Sequence, residues 1–548
     1  MFPLVSDHAQ QATLGAYLDD FFFVAPAERV VEIVAAWTEL MTTSGSNLRV
    51  APHKQECFSF QAPTEVFADK EWQCASAEGT TLLGCPVGTA DFETAYWVEQ
   101  AKMSKRGIAK LDWVRFKQSR MLLLRHCAVS RANFMLRSSA PDATLEAARV
   151  YDEAILERVA VLVECMPSDL PVSQVHLPLR NGCLGLTSAV DIRDAAFLGA
   201  MNDTAVIITR FFPLVSGMGA MVGTTGSQTR TSEQVAASFQ RLQNVLTSSK
   251  LEDVPSSVED VGTLPVGLQK RLSAAVASVG VAALITEVER AARLRSQSQR
   301  GAAAVWSAIP SEEGLQMNNT VFVTAVRMWL GMTILRPDVK RLRCACARGP
   351  ELTDVHVLCC GMGQGRTFRH DAIVKTVGEM FNAAGFSCML EPSGFAGLDP
   401  ESGPDLDVMD YNGYRGSACI DVTVVNPLAP SHVKHAANVD LGTATAAETE
   451  KVSKYRSALQ GNDRGIVGAA LEVLGAFGLG WQRMMRTCSD RHEQSGSGMP
   501  FTPYGDTWSC TTFREYWSQR IAVQLRRGNE FLVSRVQQVA LSMSSRRC

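Results

Sequence analysis

Between residues 365 and 460 the hydrophobic pattern changes from helix to strand and back, and this stretch limits the possible folds most. GRTFRHDAIVKTVGEMFNAAGF has helical spacing, with Asp371 where an N-cap would sit and Gly385 where the C′ glycine would. FSCMLEP then reads as a strand, GPDLDVMDYNGYRGSACIDVTVVNP carries two more, and TAAETEKVSKYRSAL is a second helix. Pro404-Asp405 precedes Asp421 by sixteen residues, and Asp421 opens the strand DVTVV. Carboxylates on two neighbouring strands can share one Mg²⁺ and activate water against a phosphodiester. The plainer alternative is a pair of turn residues at strand ends. On the second helix Glu448 and Lys451 share a face at i and i+3, with Lys454 and Tyr455 one turn further.

Just upstream, CACARGPELTDVHVLCC gives the spacing C-x-C-x₉-H-x₃-C through Cys344, Cys346, His356 and Cys360. Zinc prefers four tetrahedral sulfur and nitrogen ligands, and a cluster this short suits a structural knuckle. Cys359 can replace Cys360 in the pattern, and buried cysteines without metal are the competing reading.

A second acidic pair opens the chain. In GAYLDDFFFV a hairpin of residues 15–18 and 21–24 puts Asp19 and Asp20 at its turn. Two carboxylates held close repel each other, and a hard cation such as Mg²⁺ relieves that repulsion; an ordinary Asp-Asp turn is the alternative. Further on, Lys54 lies in GSNLRVAPHKQECF and Leu83-Gly84 in TLLGCPVG. Between Lys102 and Arg137 come Lys105, Arg106, Lys110, Arg115, Lys117, Arg120, Arg125 and Arg131, opposed only by Asp112. With Trp113, Phe116 and Phe134 at helical spacing, this reads either as a basic face that tracks a phosphate backbone or as a solvated helix face.

At 548 residues the chain is long enough for two to four domains. Its 46% apolar and 20% charged residues describe a globular protein, and the formal charge of −3 argues against wholesale coating of nucleic acid. The start, MFPLVSDHAQ, lacks the basic and apolar regions of a signal peptide, and LSAAVASVGVAALIT (272–286) is too short to span a bilayer. Fifteen cysteines without such a signal imply reduced thiols, and the expected location is intracellular. Composition divides the chain into 1–98, mixing strands with the helix ERVVEIVAAWTELMTTSG; a helical 99–213; a Gly/Ser/Thr/Pro-rich, flexible 214–265; a helical 266–340; the knuckle, 341–370; the α/β unit, 371–475; and a C-terminal extension, 476–548, with the basic helix REYWSQRIAVQLRRGNEFLV.

Taken in order, these features resemble the C-terminal part of a non-LTR retrotransposon polyprotein. The resemblance implies a multidomain α+β chain: a reverse transcriptase palm and helical thumb, a Cys-Cys-His-Cys knuckle, and a restriction-like endonuclease of the PD-(D/E)xK group. In such a palm Asp19 and Asp20 hold metal, Lys54 sits near the incoming triphosphate, and Leu83-Gly84 grips the primer end. LPLRNGCLGLTSAVDIRDAAFLGA (177–200) looks like the segment after the thumb. In the nuclease, Asp405 and Asp421 hold Mg²⁺ or Mn²⁺, with Glu391 as a supporting or additional ligand. The plain PD-(D/E)xK pattern has lysine where this chain has Thr423. The retrotransposon version moves the lysine to the next helix, where Lys451 fits. Lys105, Arg106, Lys110, Lys117 and Arg120 would bind nucleic acid; Arg369 and His370 would touch DNA, brace the knuckle or simply start the helix. Zn²⁺ is structural. The implied partners are target DNA, the element's RNA template and an upstream polymerase half, with no membrane, and the implied location is nuclear. A palm needs a further upstream aspartate; only eighteen residues precede Asp19, with Asp7 their one acidic residue, so DNA nicking is expected to be complete and copying incomplete. The rival expectation is a catalytically silent nucleic-acid-binding remnant.

Overall fold

The computed structural model of the protein describes residues 13–17, 20–43, 56–59, 73–74, 78–211, 230–246, 262–340, 342–346, 349–392, 403–411, 416–456, 464–494 and 509–545. The fold mixes α and β and is mostly helical, with small sheets. Among the described residues no helix is long and apolar enough to cross a membrane.

The largest sheet has four strands, β1 (Cys388–Leu390), β2 (Leu406–Met409), β3 (Ser417–Val425) and β4 (Arg464–Glu472), in the order β4-β3-β2-β1. β1, β2 and β3 pair antiparallel, whereas β4 lies parallel to β3 and so needs a crossover. That crossover is the helix α2 (Gly442–Arg456). The helix before the sheet, α1 (Gly365–Ala383), buries Ile373, Val377 and Phe381 in one cluster with Leu406, Val408, Ala418 and Ile420. The alternate β3 residues Cys419 and Asp421 meet Tyr455 and Lys451 of α2 on the opposite face. Sequence reasoning started α1 at Asp371 and β3 at Asp421. Both begin earlier: α1 at Gly365, after Gln364 in the left-handed region (φ 58°), and β3 at Ser417. Asp421 is therefore mid-strand, because Ala418, Cys419 and Ile420 before it are all fully buried. Gly385 follows α1 with φ +86°, as its C′ position requires.

Two more helices complete this region, α3 (Leu479–Gln494) and α4 (Phe513–Ser545). α4 was read from sequence as part of an extension, but it runs through the interior. It packs on α1, on the helix Asn319–Leu330 and on the knuckle helix Asp354–Cys359. Arg526, fully buried in α4, donates to the carbonyls of Val473 (3.1 Å) and Leu474 (2.7 Å) and lies 6.0 and 5.7 Å from the ring centres of Trp306 and Trp329. One continuous cluster of buried residues extends from Trp97 to Leu525, so the helical regions and the sheet share a core.

The stretch 214–265, expected to be a flexible connection, contains the helix Arg230–Leu246. Val235, Phe239, Leu242 and Leu246 recur at one-turn spacing and pack against the helices Ala189–Phe211 and Leu268–Leu284. Polar Ser, Thr and Gln between them mask that stripe. Residues 212–229 and 247–261 lie outside the described residues.

Candidate functional site

β2 and β3 pair with Leu406 opposite Ile420 and Asp407 opposite Cys419. Asp405 lies just before β2, and its N–H donates to the Ile420 carbonyl at 3.0 Å, which holds it on β3 next to Asp421. The two candidate carboxylates thus come from the start of β2 and the middle of β3, close along the sheet. Asp421 is almost sealed from solvent, with a side chain 2% exposed. Its Oδ1 accepts no well-aligned hydrogen bond and is balanced instead by the Lys451 ammonium at 2.7 Å. Asp405 accepts from the Val422 N–H at 2.6 Å through Oδ2, while its Oδ1 lies 3.4 Å from His370 Nε2. Asp407, on the same face and also buried, is 3.5 Å from an Arg464 guanidinium nitrogen. Glu391 contributes its backbone, an N–H donated to the Asp405 carbonyl at 2.8 Å; its side chain is exposed.

His370 belongs to this site, a position that sequence reasoning did not give it. Its Nε2 also lies 3.1 Å from the Val422 carbonyl, and its Nδ1 is 3.0 Å from Asp371 Oδ1. Both ring nitrogens face oxygens, the environment of an imidazolium. Burial alone would lower the His370 pKa, but the contacts to Asp405, then Asp371 and the Val422 carbonyl, outweigh it and raise it to about 9. The chain therefore matches each carboxylate with a cation, Lys451 for Asp421 and His370 for Asp405. Arg369, expected to touch DNA, brace the knuckle or simply start the helix, turns from the acidic residues toward the knuckle helix. It is buried and donates to the Leu358 carbonyl (3.3 Å) and to Asn529 Oδ1 (2.9 Å), which removes it from any exposed nucleic-acid surface.

Glu448 and Lys451 leave α2 on one side but serve different neighbours. The Glu448 carboxylate accepts from the N–H groups of Gly480 (2.9 Å), Ala470 (3.1 Å) and Trp481 (3.4 Å), capping the start of α3. Burial outweighs those donors and raises its pKa. The approach is so close that a Cβ on Gly478 would stand 2.1 Å from Glu448 Oε1. Tyr455 donates to the Gly403 carbonyl at 3.0 Å, two residues before Asp405, and accepts from Lys454 at 3.1 Å. Its burial, followed by the nearby Asp421, raises the phenol pKa.

The knuckle residues converge. The ligand atoms of Cys344, Cys346, His356 and Cys360 all lie within 4.8 Å of one another, with Cys344 Sγ to Cys360 Sγ at 3.4 Å and Cys346 Sγ to His356 Nε2 at 3.8 Å. Zn–S bonds of about 2.3 Å in a tetrahedron require edges of about 3.8 Å, so this Cys₃His set could hold a metal such as zinc. The frame is local: Cys344 N–H to the Pro350 carbonyl (2.8 Å), Gly349 N–H to Cys346 (2.8 Å) and Leu352 N–H to Leu342 (3.0 Å) fold the loop back on itself. Thr353 then caps the helix carrying His356. Burial lowers the His356 pKa, which favours the neutral imidazole a metal takes, and raises the Cys344 thiol to about 12, a proton that a bound metal would have to displace. Cys359, the alternative to Cys360, is exposed and accepts from Asn426 Nδ2 at 3.2 Å, away from the set.

At the N-terminus the strands Thr13–Tyr17 and Asp20–Val24 pair antiparallel, with Tyr17 opposite Asp20. Asp20 thus opens the returning strand, while Asp19 and Lys54 lie outside the described residues. Leu83 and Gly84, both with positive φ, form the two-residue turn between Gly79–Leu82 and Cys85–Gly88. The expected basic face divides. Lys105 is tied to Glu153 and Glu157 (2.9 and 2.8 Å), and Lys117 is buried on the Leu162 carbonyl and Glu164. Arg120 donates to the Val114 carbonyl, whereas Arg106 and Lys110 are exposed. The paired cations pin their helices to Pro141–Val163 and its C-terminal end, leaving a narrower basic surface than the residue count suggests.

No protein-family model matches this chain, and no curated protein matches it.

Proposed function

We propose that the chain is a metal-dependent DNA endonuclease, the nicking part of a non-LTR retrotransposon polyprotein acting in target-primed reverse transcription. The observation that carries the reading is the Asp405 carboxylate held on the Val422 N–H, the residue after Asp421, at 2.6 Å, together with the Lys451 ammonium 2.7 Å from Asp421. Asp405, Asp421 and the Val422 carbonyl offer oxygen only, the donor type a hard cation takes, and an ion there would share those oxygens with the His370 and Lys451 cations now against them. Asp405 and Asp421 would hold Mg²⁺ or Mn²⁺. When bound, such an ion polarises the phosphoryl oxygens and lowers the pKa of its water.

The chain's own groups do the rest. Lys451 lies on Asp421 with its side chain 30% exposed, so it can meet both carboxylate and substrate, orienting water and offsetting charge as it gathers on phosphorus. His370 fixes the rotamer of Asp405 by bridging it to the β3 backbone. In the reaction the water oxygen bonds to phosphorus and the P–O3′ bond breaks. The leaving oxygen takes a proton, which frees a 3′-hydroxyl. The Cys₃His knuckle, with zinc as its structural ion, would anchor the start of α1 against the sheet.

Supercoiled plasmid incubated with Mg²⁺ and purified chain tests the reading. Conversion to nicked circles is expected, with a loss of about 100-fold or more in Asp421→Asn. Equal conversion by parent and variant, or none by the parent, refutes it.

A further inference from the structure

Most buried arginines of this chain spend their guanidinium groups on backbone carbonyls, as Arg293, Arg369 and Arg526 do. Five exposed arginines around α2, α3 and the start of α4 behave differently. Arg456, Arg483, Arg486, Arg514 and Arg300 make no side-chain hydrogen bond or ion pair among the described residues. They are not scattered. Arg456, Arg483 and Arg486 line a cleft of about 510 Å³ between α2 and α3. Arg486 also lines a neighbouring cleft of about 430 Å³, together with Arg300 and Arg514.

The acids in these clefts are already engaged. Glu448 is occupied by three backbone N–H groups. Glu515 accepts from the Thr511 N–H and hydroxyl and from the Thr512 N–H, which cap α4. The α2–α3 cleft also carries the hydroxyls of Thr445, Ser453 and Thr487. Glu448 still feels the charge of Arg483. Guanidinium groups without a hydrogen-bonded partner, hydroxyls in the same cleft and carboxylates already bonded to backbone N–H groups are the composition of a phosphate-backbone contact, which positions a duplex without reading its bases. α2 carries both Lys451, which meets Asp421, and Arg456, which lines the cleft, so one helix joins the two sites.

We propose that these joined clefts bind the backbone of duplex DNA beside the bond cut at Asp405 and Asp421. This rests on the endonuclease reading and adds a binding surface to it. The test is anisotropy of a fluorescein-labelled duplex of three helical turns, titrated in EDTA over a range of KCl, with parent, Arg483→Gln/Arg486→Gln and the matching Arg→Lys double variant. If each arginine neutralises one phosphate, the slope of log affinity against log salt becomes less steep by about 1.8 in the Gln variant, and affinity at about 0.1 M salt falls about 60-fold. The Lys variant keeps the parent slope. An unchanged slope in the Gln variant overturns the proposal, as does a loss confined to single-stranded RNA. Plasmid nicking by the parent, run in parallel, separates the two claims. Nicking with no slope change refutes the surface alone; a slope change without nicking supports the surface and refutes the nuclease.

Discussion

Replacing Lys451 with methionine isolates the charge balance on which the candidate site depends. At 2.7 Å and an effective dielectric of about 20, the Lys451–Asp421 attraction is about 6 kcal/mol. Removing one partner of a buried pair leaves the other desolvated and usually costs about 3–5 kcal/mol. Here Lys451 is 30% exposed, so solvent already screens part of the attraction and the expected cost is lower, about 2–3 kcal/mol. At about 1.4 kcal/mol per tenfold, local opening of β3 then becomes about 30- to 150-fold more frequent. Hydrogen exchange of a peptide spanning Ser417–Val425, followed by mass spectrometry in EDTA, reads this directly. Asp421→Asn/Lys451→Met removes both charges and should exchange within a few-fold of the parent. Adding Mg²⁺ should slow Lys451→Met more than the parent, because a bound cation replaces the missing ammonium. Parent-like exchange in Lys451→Met, or equally fast exchange in the double variant, would refute the argument that Asp421 depends on the charge of Lys451.

Other expectations follow from neighbouring parts of the structure. Purified parent should carry one zinc per chain by elemental analysis, Cys346→Ser should lose it, and Cys359→Ser should keep it. Arg526→Met leaves the carbonyls of Val473 and Leu474 without donors inside the core, at about 1–3 kcal/mol each, and should lower the melting temperature by several degrees. His370 is raised from 6.5 to about 9 in the folded chain, so its contribution is fully present below pH 6.5 and fades as pH rises through 9. Metal-free parent should therefore lose melting temperature across that window, and His370→Gln should flatten the profile.

The parts legible in sequence were those set by local spacing. The knuckle ligands sit within seventeen residues, so one hairpin and one capped helix turn gather them, whereas choosing Cys360 over Cys359 needed the direction in which each sulfur leaves that turn. Asp405 and Asp421 could be set on neighbouring strands from their spacing, whereas Lys451 was picked out by the resemblance and not by its helix. Charge was poorly legible. Arg526 and Arg527 are adjacent in a helix that reads as basic surface, yet one is sealed beside two tryptophans and the other reaches the carbonyls of Gln316 and Glu313. Lys105 and Lys117 similarly counted toward a nucleic-acid face but are spent within the fold. A run of cations records composition; which of them keeps a free charge depends on carbonyls and carboxylates brought from elsewhere in the chain.

Arg369 and His370 bring these threads together. Because α1 begins at Gly365, both lie within it, and successive residues on a helix point about 100° apart. Arg369 turns to the knuckle helix and α4, where Asn529 accepts from it and donates in turn to the Val473 carbonyl just beyond β4. His370 turns to Asp405 and the β3 backbone. Two neighbours thus join the knuckle, α4, β4 and the acidic pair through bonds that each close on a buried acceptor or a backbone carbonyl. This accounts for a cysteine–histidine loop lying beside the sheet. The loop holds in place the end of α1 from which one carboxylate is oriented, so the position of Asp405 depends on the knuckle as well as on its own strand.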